Sequence, residues 1–306
     1  AMVTGVEGRR GEKVREVHMQ PGERWTEAKY HEMNVRYQEQ TIQHLKELAA
    51  QDEPFFLQYW PLYPLTGPRT TTAEYTTENG GNYVEKMKLL DKWIGDIMNE
   101  MEQLGIDDNT ILVVMGDNGH FTKYSPQSGY TPMIFRGGKG YTTEGGVRVD
   151  AFIRWPGMIE ADAIVGDIVH VTDLYTTLAR IAGATDKIPT DRLIDGVDQS
   201  ALLLEGDTHG RRDHVFIYSG NKLEQIVKER FKMKVPGPGD NPIIAKFYDL
   251  YRDTREEYSV STEVCACGGA EFVRVMQRHK KRKELYPDEP PPYGNPYDGV
   301  ENQRPE

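Results

Sequence analysis

Cysteine is scarce in this chain of 306 residues, where it occurs only as Cys265 and Cys267. Two cysteines separated by a single residue would close a very tight loop if they were bridged, so we expect a reduced pair. As half of a zinc site they lack a matching second pair elsewhere in the sequence. The sequence therefore favours neither a disulfide-stabilised fold nor a zinc centre.

Long apolar runs and excess positive charge are also missing. No window of the sequence approaches the length of apolar run that crosses a bilayer. Acidic residues outnumber basic ones, 48 Asp and Glu against 37 Lys and Arg, and the formal net charge is −11. This balance argues against nucleic acid or an anionic membrane as a partner. No signal peptide is visible after Ala1, so we expect a cytoplasmic location by default.

The hydrophobic patterning divides the chain into four segments. Residues 1–27 are polar without a clear period and predict an irregular arm, and residues 28–205 alternate helix and strand patterns, as in an α/β domain. Residues 206–286 predict a small antiparallel sheet followed by a helix. Residues 287–306 are rich in Pro, Asp, Glu and Asn and predict an irregular tail.

Individual elements follow from the same patterns. Amphipathic spacing predicts helices over 28–50, 82–104, 172–182 and 270–285. Apolar runs predict strands over 55–59, 110–115, 151–155, 214–218, 225–227, 231–233 and 245–250. The long connection over 61–82 is a candidate lining for a functional site.

The most informative stretch begins with a continuous apolar run from Ile111 to Met115, which predicts a strand buried on both faces of a parallel sheet. Asp117 and Asn118 follow this strand, where ligands of open α/β sheets bind. Their oxygen atoms suit Ca²⁺ or Mg²⁺, although two such donors bind a hard cation weakly. Taken alone, Asp-Asn-Gly after a strand is usually a turn.

A glycine-rich segment around Lys139 comes next and offers one cation beside a close backbone approach. A cation next to a hard-metal site would suit a sulfate or phosphate ester. His120 is a candidate general acid or base because histidine titrates near neutrality, or else a loop-capping residue. Arg148 is a candidate substrate contact, but a structural pair between Glu144 and Arg148 is the favoured interpretation. Asp173 is expected to cap a helix.

These motifs resemble the C-terminal half of a sulfatase, a family of the alkaline phosphatase superfamily. The resemblance rests on Asp-Asn-Gly at 117–119, on Gly-Gly-Lys-Gly-Tyr-Thr-Thr-Glu-Gly-Gly-Val-Arg-Val at 137–149, and on Arg-Trp-Pro-Gly at 154–157. Further landmarks extend it over residues 41–260 in the family's order. It implies an α/β fold: a truncated sulfatase/alkaline-phosphatase-like core with a mainly parallel sheet, plus a small C-terminal antiparallel sheet with a helix. It also implies that Lys139 contacts the sulfate group.

Three features of the family pattern are missing from this sequence. A sulfatase normally carries an Asp-Asp metal pair on its first strand and a Cys-x-Pro-x-Arg segment, whose Cys becomes the formylglycine nucleophile. Neither occurs here, since Cys265 and Cys267 have no Pro or Arg in register, and no formylglycine can form from this chain. The family's Pro-His-x-Pro pattern reads Pro-Leu-Tyr-Pro at 61–64, with Leu62 in the His position.

Three functional hypotheses therefore stay open. In the first, the chain is a hydrolase of sulfuric or phosphoric esters that is impaired or is completed by a separate N-terminal chain. In the second, it is a catalytically dead relative that binds an anion or a partner. In the third, it is a hydrolase that uses metal-bound water, with His120 as the proton acceptor. We also expect a dimer or larger assembly, because removing N-terminal strands from such a sheet would expose an edge and an apolar face.

Overall fold

A computed structural model describes residues 3–4, 16–17, 26–64, 81–120, 134–206, 209–237, 245–260 and 268–287. Within these ranges, no helix is both long enough and apolar enough to cross a membrane. Most of the predicted N-terminal arm, nearly all of the tail and both cysteines lie outside the described residues. In the arm, β1 (Val3–Thr4) pairs with β2 (Glu16–Val17), so the prediction of an irregular arm is wrong at these four residues.

Two long helices pack against each other in the N-terminal part of the described residues. They are α1 (Glu27–Ala49) and α2 (Gly81–Gln103), each within one residue of the predicted bounds. Thr26 begins α1, and its side chain accepts a hydrogen bond from Lys29 N, a common way to start a helix. The two helices enclose a cluster of four buried side chains with partly buried neighbours: Tyr30, Met33, Tyr63 and Trp93.

The segment between these helices does not form the predicted strand. Residues 54–60 have no strand assignment, and along them partly buried side chains alternate with exposed ones such as Phe56. A strand needs a hydrogen-bonded neighbour, and no pairing to this segment occurs in the described residues. Tyr63 stacks on Trp93 in the cluster between the helices, whereas Trp60 is 69% exposed.

A two-stranded sheet carries the motif-rich region. Its strands are β3 (Leu112–Met115) and β4 (Ala151–Arg154), paired antiparallel. The predicted parallel pairing is not found among the described strands, all of whose pairs are antiparallel. The predicted burial of β3 on both faces is also wrong, because the side chain of Met115 is exposed. Among the described strands, β3 pairs with β4 alone.

The remaining elements confirm the predicted α/β class. They are the helices α3 (Glu144–Val147), α4 (Val171–Ile181) and α5 (Ser200–Leu204), the strands β5 (His214–Ser219), β6 (Lys222–Lys228), β7 (Phe231–Lys234) and β8 (Phe247–Asp249), and the helix α6 (Gly269–Leu285). Short 3₁₀ turns lie at Asp107–Asn109 and Thr185–Lys187.

The C-terminal part forms the predicted small antiparallel sheet with its helix. Strands β5, β6, β7 and β8 lie in that order, and α6 covers one face. Ile226 and Met233 face each other across β6 and β7, and they pack with Phe247 and Phe272 in a buried cluster. Because side chains alternate along a strand, the neighbouring residues of β6 and β7 point to the other face. That second face meets the motif-rich region.

Candidate functional site

The structure brings the two predicted site segments together. The loop after β3, which carries Asp117 and His120, lies against the loop that precedes and includes α3. The Lys139 N–H donates to the His120 carbonyl oxygen over 2.7 Å, and the Gly119 N–H donates to the Gly146 carbonyl over 3.0 Å. Segments separated by about twenty residues in the sequence are therefore joined by backbone hydrogen bonds, which hold the Lys139 backbone beside the Asp-Asn-Gly-His turn.

This contact requires glycine on both sides. A Cβ added to Gly119 would lie 1.8 Å from the Gly145 carbonyl oxygen, and one added to Gly145 would lie 2.4 Å from the Arg136 carbonyl oxygen. Neither distance is compatible with a side chain, and backbone atoms cannot move aside cheaply. Gly119 and Gly145 are thus explained by close backbone packing.

Asp117 and Asn118 are the candidate metal ligands, and they offer only part of a site. Asp117 is exposed and its Oδ1 accepts from Asn118 N over 2.8 Å, while Asn118 Nδ2 donates to the Gly119 carbonyl over 2.8 Å. No group of three or more acidic, His or Cys side chains able to hold a metal occurs in the described ranges. Calcium takes six to eight oxygen ligands. Asp117 and Asn118 could therefore supply only two of these oxygen ligands.

The two candidate cations differ in their surroundings. Lys139 is exposed, and its ammonium group has no ion-pair partner among the residues described. Arg148 Nη1 lies 3.8 Å from Glu144 Oε2, and its guanidinium group stacks over the Phe135 ring at 4.9 Å. The favoured structural pair of Glu144 with Arg148 is present, and the role of Arg148 in substrate binding stays a prediction.

His120 is the candidate proton-transfer group. Its ring is half-buried, and burial lowers its pKa below the ordinary value of 6.5. At neutral pH the imidazole is therefore neutral and can accept a proton. Its ring makes no hydrogen bond within the described part of the chain. Its catalytic role stays a prediction.

A buried charge cluster behind the loop was not predicted from the sequence. Lys232, on β7, is fully buried, and its Nζ lies 3.0 Å from Glu144 Oε1 and 3.2 Å from Glu256 Oε1. All three side chains are at least 92% buried. The one sequence signal is the position of Lys232 between Phe231 and Met233, where a charged residue interrupts an apolar strand.

A comparison with known protein families decides the identity of this fold. The family model described as Sulfatase matches residues 15–184, which is more than half of the chain. The chain belongs to the sulfatase family.

Individual sulfatases show the same relationship. N-acetylgalactosamine-6-sulfatase of Mus musculus is 32% identical over 197 residues, which cover 64% of this chain and 37% of that protein. Steryl-sulfatase of Rattus norvegicus is 29% identical over 229 residues, covering 70% of this chain and 38% of that protein. The chain thus spans well under half the length of these relatives.

Solved structures share the fold. A sulfatase from Pseudoalteromonas sp. superposes with a TM-score of 0.71 at 23% identity, covering 84% of this chain and 54% of that one. A Bacteroides thetaiotaomicron protein of glycosaminoglycan metabolism superposes with a TM-score of 0.65 at 24% identity, covering 82% of this chain and 55% of that one. The α/β sulfatase architecture is therefore common to all three.

One departure from the sulfatase pattern lies within the described residues. Leu62, which the resemblance places at the position of the family's histidine, is 41% exposed. Helix α1 holds this segment, because Asn34 Oδ1 accepts from Leu62 N over 3.0 Å and Tyr30 Oη donates to the Leu62 carbonyl over 2.7 Å. The backbone is fixed, but the side chain cannot transfer a proton.

Proposed function

We propose that this chain binds sulfate monoesters beside Lys139 and hydrolyses them only when further groups complete the site. The observation that carries the proposal is the hydrogen bond from Lys139 N to His120 O, which holds the lysine backbone against the Asp-Asn-Gly-His turn. The names N-acetylgalactosamine-6-sulfatase and steryl-sulfatase imply sulfate esters of two different alcohols, a sugar and a sterol. Their shared chemistry is the sulfate monoester, so the sulfate group is the part that this site recognises.

Each residue of the site has a defined part in the proposal. The Lys139 ammonium neutralises charge on the sulfate oxygens, a contribution that grows in a site from which water is excluded. His120, neutral at pH 7, is available to accept a proton or to pass one to the leaving oxygen. Phosphate monoesters have a similar size and tetrahedral shape and carry more negative charge at pH 7, so they would bind the same groups.

Hydrolysis needs more than these groups. Covalent catalysis requires an activated nucleophile, and this sequence contains no Cys-x-Pro-x-Arg segment from which formylglycine could form. Asp117 and Asn118 alone do not make a complete cation site. We therefore propose that these residues alone form an impaired ester hydrolase, which needs a nucleophile and further metal ligands from groups outside this sequence.

The test is an assay of the purified chain on 4-nitrophenyl sulfate, phosphate and acetate, with and without chelator, beside Asp117→Ala and the surface control Asp186→Ala. We expect no release of nitrophenol from the sulfate or the phosphate above the protein-free rate in any sample. Release that Asp117→Ala abolishes and Asp186→Ala leaves unchanged would show that the chain is itself a working catalyst, against the proposal.

A further inference from the structure

Lys232 has a fully buried side chain in the C-terminal sheet. Lys232 lies on β7, on the face of the C-terminal sheet opposite α6, and none of its surface is accessible. Its Nζ is within 3.2 Å of a carboxylate oxygen of both Glu144 and Glu256. An isolated ammonium group in such a place would be very unfavourable, so the two carboxylates are what allow it to stay charged there.

Glu256 holds both ends of the lysine loop, defined here as residues 136–146. At one end, its Oε1 accepts the backbone N–H of Glu144 over 2.7 Å. At the other, its backbone carbonyl accepts from Arg136 Nη1 over 3.1 Å. The loop is closed on itself by the bond from Gly145 N to Arg136 O, 2.8 Å long. Glu256 thus pins the two ends of this loop against each other.

The backbone of Glu256 also departs from common geometry. Its φ is +53°, in the left-handed region that non-glycine residues seldom adopt. Such conformations persist only where the surrounding contacts over-determine them. The contacts with Lys232, Glu144 and Arg136 supply that constraint.

The lysine loop in turn fixes the two site segments. Gly146, at the end of the loop, accepts from Gly119 over 3.0 Å, and Lys139, at its tip, donates to His120 over 2.7 Å. Hydrogen bonds therefore link Lys232 in the C-terminal sheet to Glu144, and the backbone of residues 144–146 and the Gly146 carbonyl link it further to the turn that carries Asp117.

We propose that Lys232 and Glu256 are positioning residues, whose buried charge cluster with Glu144 sets the conformation of the lysine loop and hence the place of Lys139. A buried ion cluster is a poor source of stability, because apolar side chains of similar volume would serve as well or better. What charged groups add is directional bonding at fixed distances. The sulfate-binding consequence rests on the function proposed above, whereas the loop conformation does not depend on it.

The experiment compares Glu256→Ala, which removes the acceptor for Glu144 N–H, with Glu256→Gln, which keeps an acceptor oxygen at that place. Lys232→Met removes the ammonium group. Arg212→Met is the matched control, because it breaks another buried ion pair, Arg212 with Asp173, that does not touch the lysine loop. Amide hydrogen exchange of the peptide 136–147 and the affinity for inorganic sulfate are measured for each, together with urea stability.

We expect exchange of this peptide to be at least tenfold faster in Glu256→Ala and Lys232→Met, and sulfate affinity to fall at least threefold. Glu256→Gln should stay within threefold of the wild type in both. Arg212→Met should lower overall stability and leave the peptide's exchange relative to the rest of the chain unchanged.

Unchanged exchange in Glu256→Ala would overturn the inference, even if sulfate binding by the wild type upheld the proposed function. If Glu256→Ala exchanges faster but the wild type binds no sulfate, the positioning of the loop is upheld and the proposed function is contradicted. If Lys232→Met does not fold, the Glu256→Ala and Glu256→Gln pair still decides.

Discussion

Gly145 and Gly95 show how much the surroundings of one residue type decide. A Cβ on Gly145 would collide with the Arg136 carbonyl oxygen at 2.4 Å, and nothing lies within 4 Å of a Cβ on Gly95, inside α2. Backbone atoms block the first position, while the second is an open helix surface. The same substitution should therefore have opposite effects on stability.

We predict that Gly145→Ala lowers the free energy of unfolding by about 1–3 kcal/mol, because the loop must shift to admit the methyl group. Gly95→Ala should raise it by up to about 1 kcal/mol, since alanine is the better helix former. Urea unfolding followed by circular dichroism measures both. Equal effects of the two substitutions would show that close packing does not explain Gly145.

At the scale of residues, local patterns predicted part of the site. Asp117, Asn118 and Lys139 were predicted as site residues because strand ends and glycine-rich loops leave a signal within a few positions. The structure places their segments side by side, and their roles stay predictions. The pairing of Glu144 with Arg148 could also be predicted, but its buried partners Lys232 and Glu256 could not, because they lie 88 and 112 residues further along the chain. Only the packing of the C-terminal sheet against the lysine loop brings them together.

Helix α4 offers a second contrast between similar side-chain pairs. At its start, the Asp173 carboxylate accepts from Arg212 Nε and Nη2 over 2.8 and 2.6 Å; Asp173 is buried and the Arg212 side chain is mostly buried. Asp191 and Arg192 form a similar two-bond pair at 2.9 and 2.8 Å, but in solvent. Asp173 also caps the helix, as predicted, by accepting from His170 N.

We predict that Asp173→Ala destabilises the protein by about 2–4 kcal/mol, because it removes the carboxylate that pairs with Arg212 and a helix cap. Arg212 keeps only its bonds to the carbonyl oxygens of His214 and Asp195. Asp191→Ala, the exposed control, should leave the free energy of unfolding unchanged, since solvent screens that pair. Chemical denaturation of both variants tests the prediction. A small loss in Asp173→Ala would mean that Arg212 finds another partner.

Helix α6 packs on the sheet through His279. Its imidazole stacks on Phe216 with ring centroids 3.8 Å apart, and it shares a hydrogen bond with the Tyr218 hydroxyl. Burial lowers the pKa of His279 below 6.5, and the nearby charge of Lys283 lowers it further, against the opposing effect of Asp195. The folded protein therefore holds His279 in its neutral form.

We predict that acidification weakens the protein through this contact. Between pH 6.5 and the lower pKa of folded His279, the unfolded chain binds the proton more readily, so the free energy of unfolding falls as the pH drops. In His279→Gln, the loss of free energy of unfolding that His279 causes on acidification is removed. The loss caused by His120 and His170 remains, because burial lowers their pKa values too. Denaturation at several pH values tests this, and an equally steep loss in the variant would refute it.

Helices were easier to predict than strands for a physical reason. The bounds of α1, α2 and α6 fell within one residue of those expected over 28–50, 82–104 and 270–285, because a helix satisfies its hydrogen bonds within one segment. A strand needs a partner, and the expected strand over 55–59 has none in the described residues. The direction in which two strands pair also depends on the partner strand, which explains why the expected parallel pairing is not found among the described strands.

For the whole molecule, the distribution of apolar surface leads to an expectation of self-association. Strand β4 carries Phe152 at 69% exposure, and the nearby end of β3 exposes Met115. Within the described residues, each of these strands has an unpaired edge. Unpaired edges with exposed apolar side chains invite pairing with another copy or another chain.

We predict that the purified chain forms a dimer or larger assembly and that Phe152→Lys shifts it toward the monomer. Ile164→Lys is the control, because Ile164 is 97% exposed but lies outside the sheet. Multi-angle light scattering over a concentration series measures the mass. A wild-type monomer at every concentration would contradict this expectation.

The proposed recognition of a sulfate group through Lys139 of this sulfatase-family chain can be measured by calorimetric titration with inorganic sulfate at low ionic strength. The wild type is compared with Lys139→Ala and with Lys222→Ala, which removes an equally exposed lysine on β6. We predict that Lys139→Ala weakens binding by about tenfold, or about 1.4 kcal/mol, and that Lys222→Ala leaves it within twofold. Equal affinities in the wild type and Lys139→Ala, or no binding by the wild type, would contradict the account.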